Sequence, residues 1–135
     1  MKIDGSCHCG RIRYEAEIDP ERAAICHCTD CQVLSGSAFR TVVPAPKAGF
    51  RLLAGRPKIY VKTADSGNRR TQAFCSECGT PIYSSPVSDD FPAYSLRVGP
   101  IRQRAQLRPR IEYFCRSALD WTGLEGTRRF DAMQS

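Results

Sequence analysis

The 135-residue sequence lacks a long hydrophobic run: no segment approaches the roughly 20 apolar residues that a helix needs to span a bilayer. It also lacks the pattern of an export signal, because Asp4, Cys7 and Cys9 stand where the apolar core of such a signal would have to lie. We therefore expect a cytoplasmic protein with no membrane partner.

Linkers, internal repeats and low-complexity segments are missing as well. Hydrophobic residues make up 41% of the chain and charged residues 25%, a balance that is ordinary for a folded protein and argues against general disorder. A chain of this length fits one domain with a buried core. The sequence therefore predicts a single domain over residues 1–135.

The charge distribution lacks a concentrated basic block. The net charge is +6, from 20 lysine and arginine residues against 14 aspartate and glutamate residues, but the basic residues are scattered. No aromatic residues are interleaved with a basic run, so nucleic acid binding is not the favoured interpretation. Most of the surplus is arginine, which suits either a solvated basic surface or the binding of carboxylates and phosphates.

What the sequence does contain is a series of short β-strand patterns. In "RIRYEAE", Ile12, Tyr14 and Ala16 alternate with charged residues, which is the period of a half-buried strand. Similar segments, rich in β-branched and aromatic residues, are "AFRTVV", "KIYVK", "PIYSS", "AYSLRV" and "RIEYF". We predict a mainly β fold, a single small domain of short antiparallel strands.

Two local signals refine this prediction. The segment "ADSGNRR" is typical of a hairpin tip, with Gly67 and Asn68 suited to positive φ. One short helix is expected to begin at an N-cap on Thr29 or Asp30 and to end at Gly36.

The chain contains eight cysteines. In a reducing compartment, cysteines are more often metal ligands or reactive thiols than disulfides. Seven of them fall into three spaced groups: Cys7 and Cys9; Cys26, Cys28 and Cys31; Cys75 and Cys78. Inert buried cysteines would account for one or two such residues, but they do not account for three groups. The spacing therefore predicts at least one zinc site.

The first and last groups complement each other. "FCSECGT" places Cys75 and Cys78 in a turn of the zinc-knuckle kind, in which the glycine frees the backbone to direct its amides toward the sulfurs. Tetrahedral zinc needs four ligands, and the distant pair Cys7 and Cys9 would supply the other two. We expect this site to join the first strand to the middle of the chain.

The segment "CHCTDC" has only three thiols, Cys26, Cys28 and Cys31. Cys115 is a candidate fourth ligand, and its participation would make both sites closed and structural. It stands alone in "RIEYFCRSALDW", which has the pattern of a strand, and a lone cysteine there is more often a packed small hydrophobe. We predict three protein thiolates and an exchangeable fourth ligand at this site.

Each of the two histidines lies between paired cysteines. In an extended C-x-C segment the cysteines project to one face and the middle residue to the other. We therefore expect His8 and His27 to have structural or outer-shell roles rather than to bind the metals.

Five segments carry a resemblance over nearly the whole chain: "GSCHCGRIRYE", "CHCTDC" followed by "SGSAF", "FCSECGTPIY", "RSALDW" and "RRFD". Together they resemble the glutathione-dependent formaldehyde-activating enzyme family, which is carbon-sulfur lyase-like. The resemblance implies a zinc-stapled fold of the β-tent kind with two zinc ions. It implies structural ligands at Cys7, Cys9, Cys75 and Cys78, and catalytic ones at Cys26, Cys28 and Cys31.

Three thiolates would leave a zinc ion with a net negative charge and a preference for a soft sulfur ligand, which would be held as a thiolate. We therefore expect a zinc-dependent carbon-sulfur lyase that acts on a thiol/aldehyde adduct such as S-hydroxymethylglutathione. The carboxylates of glutathione would meet arginines, with Arg11, Arg40, Arg69 and Arg70 as candidates. The alternative is a non-catalytic, zinc-stapled binding module for nucleic acid or protein.

Overall fold

The backbone is organised into two β-sheets. The structure is a computed structural model, and it describes residues 1–133. Within these residues the strands are β1 (Lys2–Ser6), β2 (Arg13–Glu17), β3 (Ala24–Cys26), β4 (Arg40–Pro46), β5 (Arg51–Ala54), β6 (Lys58–Thr63), β7 (Arg69–Phe74), β8 (Pro81–Pro86), β9 (Ala93–Arg97) and β10 (Ile111–Tyr113). The one α-helix described, α1, spans Thr29–Ser35. Short 3₁₀ turns lie at Pro20–Arg22, Lys47–Gly49, Arg104–Gln106 and Cys115–Ser117.

The smaller sheet has the strand order β1-β2-β5, and the larger has the order β10-β3-β4-β9-β8-β7-β6. All neighbouring strands are antiparallel except β10, which runs parallel to β3. The predicted mainly β class is confirmed, and the parallel pair is the exception to the antiparallel arrangement. Among residues 1–133, no helix is long and apolar enough to cross a membrane.

The hydrophobic core lies between the two sheets. On β2, Tyr14 and Ala16 are buried while the charged residues beside them are half-buried or exposed, as the alternation predicts. Val43 and Leu96, paired across β4 and β9, belong to the same buried cluster. A Cβ atom on Gly5 would lie 2.2 Å from the Tyr14 ring, so glycine is needed where this ring crosses β1.

Each of the six predicted strand segments overlaps a strand, but the strands β1, β3, β5 and β7 were not predicted. β3 has only three residues, and the β7 sequence "RRTQAF" is largely polar. Successive side chains alternate between the two faces of the sheet, so its polar residues lie on both faces and no hydrophobic pattern identifies this strand.

The predicted helix and hairpin are present, with two corrections. The N-cap of α1 is Cys28 rather than Thr29 or Asp30, because its sulfur accepts the hydrogen bond that a capping oxygen would usually accept. At the tip between β6 and β7, Gly67 has a φ of 88°, whereas Asn68 does not adopt positive φ. Gly36 ends the helix at a φ of 67°, as expected.

Candidate metal centres and the adjoining cleft

Two backbone turns bring the first four cysteines together. Gly10 donates its backbone N–H to the Cys7 carbonyl at 3.0 Å, and Gly79 donates to the Cys75 carbonyl at 2.8 Å. Both glycines have positive φ, 82° and 78°. The segment Cys7–Cys9 therefore curls in a turn, and the prediction that it is extended was wrong. The two turns resemble each other and face one another.

The spacing of these sulfurs fits a tetrahedral metal ion. The Sγ atoms of Cys7 and Cys9 are 3.6 Å apart, and those of Cys9 and Cys75 are 3.7 Å apart. A zinc–sulfur bond of about 2.3 Å in tetrahedral geometry places sulfurs about 3.8 Å apart. All four ligand atoms of Cys7, Cys9, Cys75 and Cys78 lie within 4.8 Å of one another. This four-thiol group can hold a metal ion.

Hydrogen bonds favour the thiolate form at two members of the four-thiol group, Cys7 and Cys78. The Ile12 backbone N–H donates to Cys7 Sγ at 3.2 Å. Thr80 Oγ1 lies 3.2 Å from Cys78 Sγ, and hydrogen bonds from the Thr80 hydroxyl and backbone amide lower the pKa of Cys78 to about 5. Cys7 and Cys75 are themselves buried members of the hydrophobic core. A metal ion here would join β1, in the small sheet, to the β7–β8 turn of the large sheet.

The second group, Cys26, Cys28 and Cys31, lies where β3 leads into α1. Cys26 ends the strand, Cys28 caps the helix and Cys31 lies in its first turn, where its backbone N–H donates to Cys28 Sγ at 3.3 Å. The three ligand atoms lie within 4.8 Å of one another. A hydrogen bond from the Cys31 thiol lowers the pKa of Cys26 to about 5 and raises that of Cys31. This three-thiol group can also hold a metal ion.

Within residues 1–133, Cys115 does not belong to the group that these three cysteines form. It is exposed and begins a 3₁₀ turn, and its thiol points to the Glu112 carbonyl at 3.7 Å. The expectation of a packed small hydrophobe in a strand was wrong. Phe114 adopts a left-handed conformation with a φ of 56°. Strand β10 therefore ends at Tyr113, and Cys115 is turned outward.

We therefore expect Cys115→Ala to keep the same number of bound metal ions as the wild-type chain, because its sulfur is outside both thiol groups. Native mass spectrometry of the two proteins, together with X-ray absorption at the zinc edge, measures this directly. Cys31→Ala serves as the control that should lose one ion. If Cys115→Ala lost one ion and every zinc in the wild type had four sulfur ligands, Cys115 would be the fourth ligand of the three-thiol group, and the prediction would be wrong.

Neither histidine belongs to a thiol group. His27 is buried, and its Nε2 lies 2.8 Å from Glu112 Oε1 on β10. Its backbone N–H donates to the Tyr113 carbonyl, and Gln32 Nε2 donates to the His27 carbonyl. His27 thus attaches the C-terminal strand to the loop that carries the three thiols. His8 is exposed, and its backbone N–H donates to Thr80 Oγ1 at 3.0 Å beside the four-thiol group.

A cleft of about 510 Å³ adjoins the three-thiol group, and Cys26, Cys28 and Cys31 form part of its lining. This volume lies within the usual range of small-molecule sites. One wall includes the β6–β7 hairpin and the other includes the C-terminal segment from Tyr113 to Ser117. Lys62 donates to Asp30 Oδ2 at 2.9 Å and so ties the hairpin to α1.

The floor of this cleft is a polar face of the large sheet. Its residues come from four adjacent strands, at positions related by cross-strand pairing and period-two alternation: Arg40 on β4, Arg70 and Gln72 on β7, Ser84 on β8, and Ser95 and Arg97 on β9. Arg40 also pairs with Cys26 across β3 and β4, which places a guanidinium-bearing residue beside the thiols.

Two of the four predicted arginines, Arg40 and Arg70, line the cleft, whereas Arg11 and Arg69 are not among its lining residues. Arg97 and Gln72 were missed. The available signal was the alternation in "AYSLRV", which puts Arg97 on the face opposite the core residue Leu96.

The fold and its site define a class: a small mainly β protein with two groups of cysteine thiols, each suited to a metal ion, and a cleft that the three-thiol group helps to line. Comparison with known families is more specific. The chain belongs to the glutathione-dependent formaldehyde-activating enzyme family, whose model matches residues 2–117. The match includes all seven grouped cysteines and Cys115, whereas most of "RSALDW" and all of "RRFD" lie beyond it.

A solved structure supports the fold. The chain is similar to the crystal structure of a protein from Rhodobacter sphaeroides, with a TM-score of 0.61 and 18% sequence identity. The similarity covers 81% of this chain and 98% of that one. At this level of identity the likeness shows a shared fold.

Proposed function

We propose that this chain is a cytoplasmic, single-domain, zinc-dependent carbon-sulfur lyase that acts on a thiol/aldehyde adduct such as S-hydroxymethylglutathione. The observation that carries the proposal is the difference between the two thiol groups. The four-thiol group is partly buried in the core, whereas the three-thiol group opens into a cleft of small-molecule size. The family description, which links glutathione and formaldehyde, supports the choice of substrate.

In this proposal the two metal sites have different roles. Cys7, Cys9, Cys75 and Cys78 hold a structural zinc ion, and Cys26, Cys28 and Cys31 hold the catalytic one. A catalytic zinc with three protein ligands keeps one position for a substrate atom. When bound, that ion would accept the substrate sulfur and favour its thiolate form, which is the nucleophile.

The proposed reaction is reversible addition of a thiolate to an aldehyde. The sulfur forms a bond to the carbonyl carbon, the π electrons move to the carbonyl oxygen, and that oxygen takes a proton to become a hydroxyl group. In the lyase direction the hydroxyl loses its proton and the carbon–sulfur bond breaks, with the electron pair remaining on sulfur. The Arg40 guanidinium favours negative charge at Cys26 and Cys31, and it would favour charge on a substrate sulfur at the same place.

The experiment that tests this proposal removes the two metals in sequence. We expect two zinc ions per chain, with a mild chelator taking the ion of the three-thiol group first because fewer protein ligands hold it. Circular dichroism should then stay unchanged. Exchange of formaldehyde with glutathione, followed by NMR at low reactant concentrations, should fall to the rate without protein. Formaldehyde adds to thiols unaided, so that rate must be measured in parallel.

Two results would count against the proposal. One is the loss of both ions together, with unfolding, since that would give both sites a structural role. The other is a fully metallated protein that leaves the exchange rate unchanged and shows salt-sensitive binding of nucleic acid, which would favour the non-catalytic alternative.

A further inference from the structure

The cleft floor holds three guanidinium groups that have no carboxylate partner within residues 1–133. Arg40 is 5% exposed and Arg97 is 6% exposed, and the Nε atom of each is buried without a hydrogen-bond partner. Arg70 is half-buried. A buried charge is costly to leave unpaired, so such a group usually meets an ion of opposite charge.

Gln72 holds two of these arginines without neutralising them. Its Oε1 atom accepts a hydrogen bond from Arg40 at 3.1 Å and another from Arg97 at 2.8 Å. Arg70 donates to the neutral hydroxyl of Ser84 at 3.0 Å. A glutamate at position 72 would have supplied the same acceptor with a charge. The amide therefore orients the guanidinium groups and leaves their charge for another anion.

The arginines keep this charge at neutral pH. Burial, followed by repulsion from Arg40, lowers the pKa of Arg97 to about 9, which is still above neutrality. The thiolates offset only part of the charge, because three thiolates with one divalent metal carry a single net negative charge. Five cationic side chains line the cleft against that single charge and two carboxylates, Asp30 and Asp65; they are Arg40, Arg70, Arg97, Arg116 and Lys62. The negative charge in the cleft therefore balances only some of its cationic side chains.

We propose, resting on the proposed function, that the Arg40–Gln72–Arg97 unit and Arg70 bind a carboxylate of the thiol substrate. The sulfur would go to the three-thiol site while the carboxylate lies on the arginines of the floor. Guanidinium groups bind carboxylates through paired hydrogen bonds, so this contact fixes orientation as well as charge. The site thus selects carboxylate-bearing thiols over neutral thiols of similar size.

The test compares two short thiols, 3-mercaptopropionate and 2-mercaptoethanol, by calorimetric titration of the zinc-loaded full chain. Hydrogen bonds between charged groups contribute enough to predict a preference for the carboxylate on the order of 10- to 100-fold. Gln72→Glu places a carboxylate between Arg40 and Arg97 without changing the side-chain size. It should lower the affinity for 3-mercaptopropionate about tenfold more than the affinity for 2-mercaptoethanol, whose sulfur meets the same change of charge at Arg40.

Two further variants complete the test. Arg70→Gln should also reduce the preference, and Arg69→Gln, the neighbouring arginine outside the cleft lining, is the matched control that should keep it. Equal affinities of the wild type for the two thiols would overturn the carboxylate site while leaving the open metal position intact. An equal loss of affinity for both thiols in Gln72→Glu would mean that the arginines only compensate the thiolates. Binding of neither thiol would overturn this inference together with the proposed function.

Discussion

Replacing Cys75 by serine is expected to remove most of the stability of the protein. The four-thiol group connects the β1 end of the small sheet to the β7–β8 turn of the large sheet, and Cys75 is buried within the core that both sheets share. The free energy of binding a structural zinc ion is about 10–16 kcal/mol, as large as the whole stability of a typical domain. We expect the melting temperature to fall by more than about 15 °C, or the protein to be insoluble.

Calorimetric or spectroscopic melting of zinc-loaded protein measures this effect. Cys115→Ser is the matched control, because it makes the same chemical change at an exposed cysteine outside both thiol groups. A Cys75→Ser protein that melts within a few degrees of the wild type would show that this metal site does not hold the sheets together.

Cys28→Ser is expected to have the opposite effect: the fold survives and turnover is lost. Cys28 is the N-cap of α1, and serine is a favourable N-cap residue, so the helix keeps its capping hydrogen bond. The metal site loses one of its three thiolates. We expect formaldehyde exchange to slow by about 100-fold or more, with a melting temperature within about 4 °C of the wild type.

The measurement pairs the NMR exchange rate with a metal count and a melting curve on one preparation. Ser35→Ala, at the other end of the same helix and outside the cleft lining, controls for general damage to α1. If Cys28→Ser lowers the melting temperature as much as Cys75→Ser does, the two sites share one structural role and the catalytic assignment fails.

The two thiol groups could be predicted from the sequence, because the spacing of cysteines reflects the geometry of metal coordination. The pairs around Cys7 and Cys75 were expected to meet although they are far apart in the chain, since tetrahedral zinc needs four ligands. The outward position of Cys115 was not foreseen. It depends on a left-handed residue, Phe114, and a bulky aromatic residue gives no hint of that conformation.

The cleft floor was much harder to foresee. Gln72 meets Arg40 and Arg97 only through the register of strands β4, β9, β8 and β7, in which non-sequential strands become neighbours. Polar residues in a strand predict a solvent-facing side, and the sequence contains no signal that a second wall will cover that side. The C-terminal segment provides this wall by pairing β10 in parallel with β3.

The separation of the four-thiol ligands along the chain also bears on the order of events during synthesis. Cys9 and Cys75 are 66 positions apart, so the first pair leaves the ribosome long before its partners exist. The three thiols of "CHCTDC" are close together in the chain. They can therefore bind an ion after closing only a very short loop, which costs little entropy. On the proposed function, the nascent chain should therefore load the three-thiol group first, and the ion of the four-thiol group would arrive last and join the two sheets.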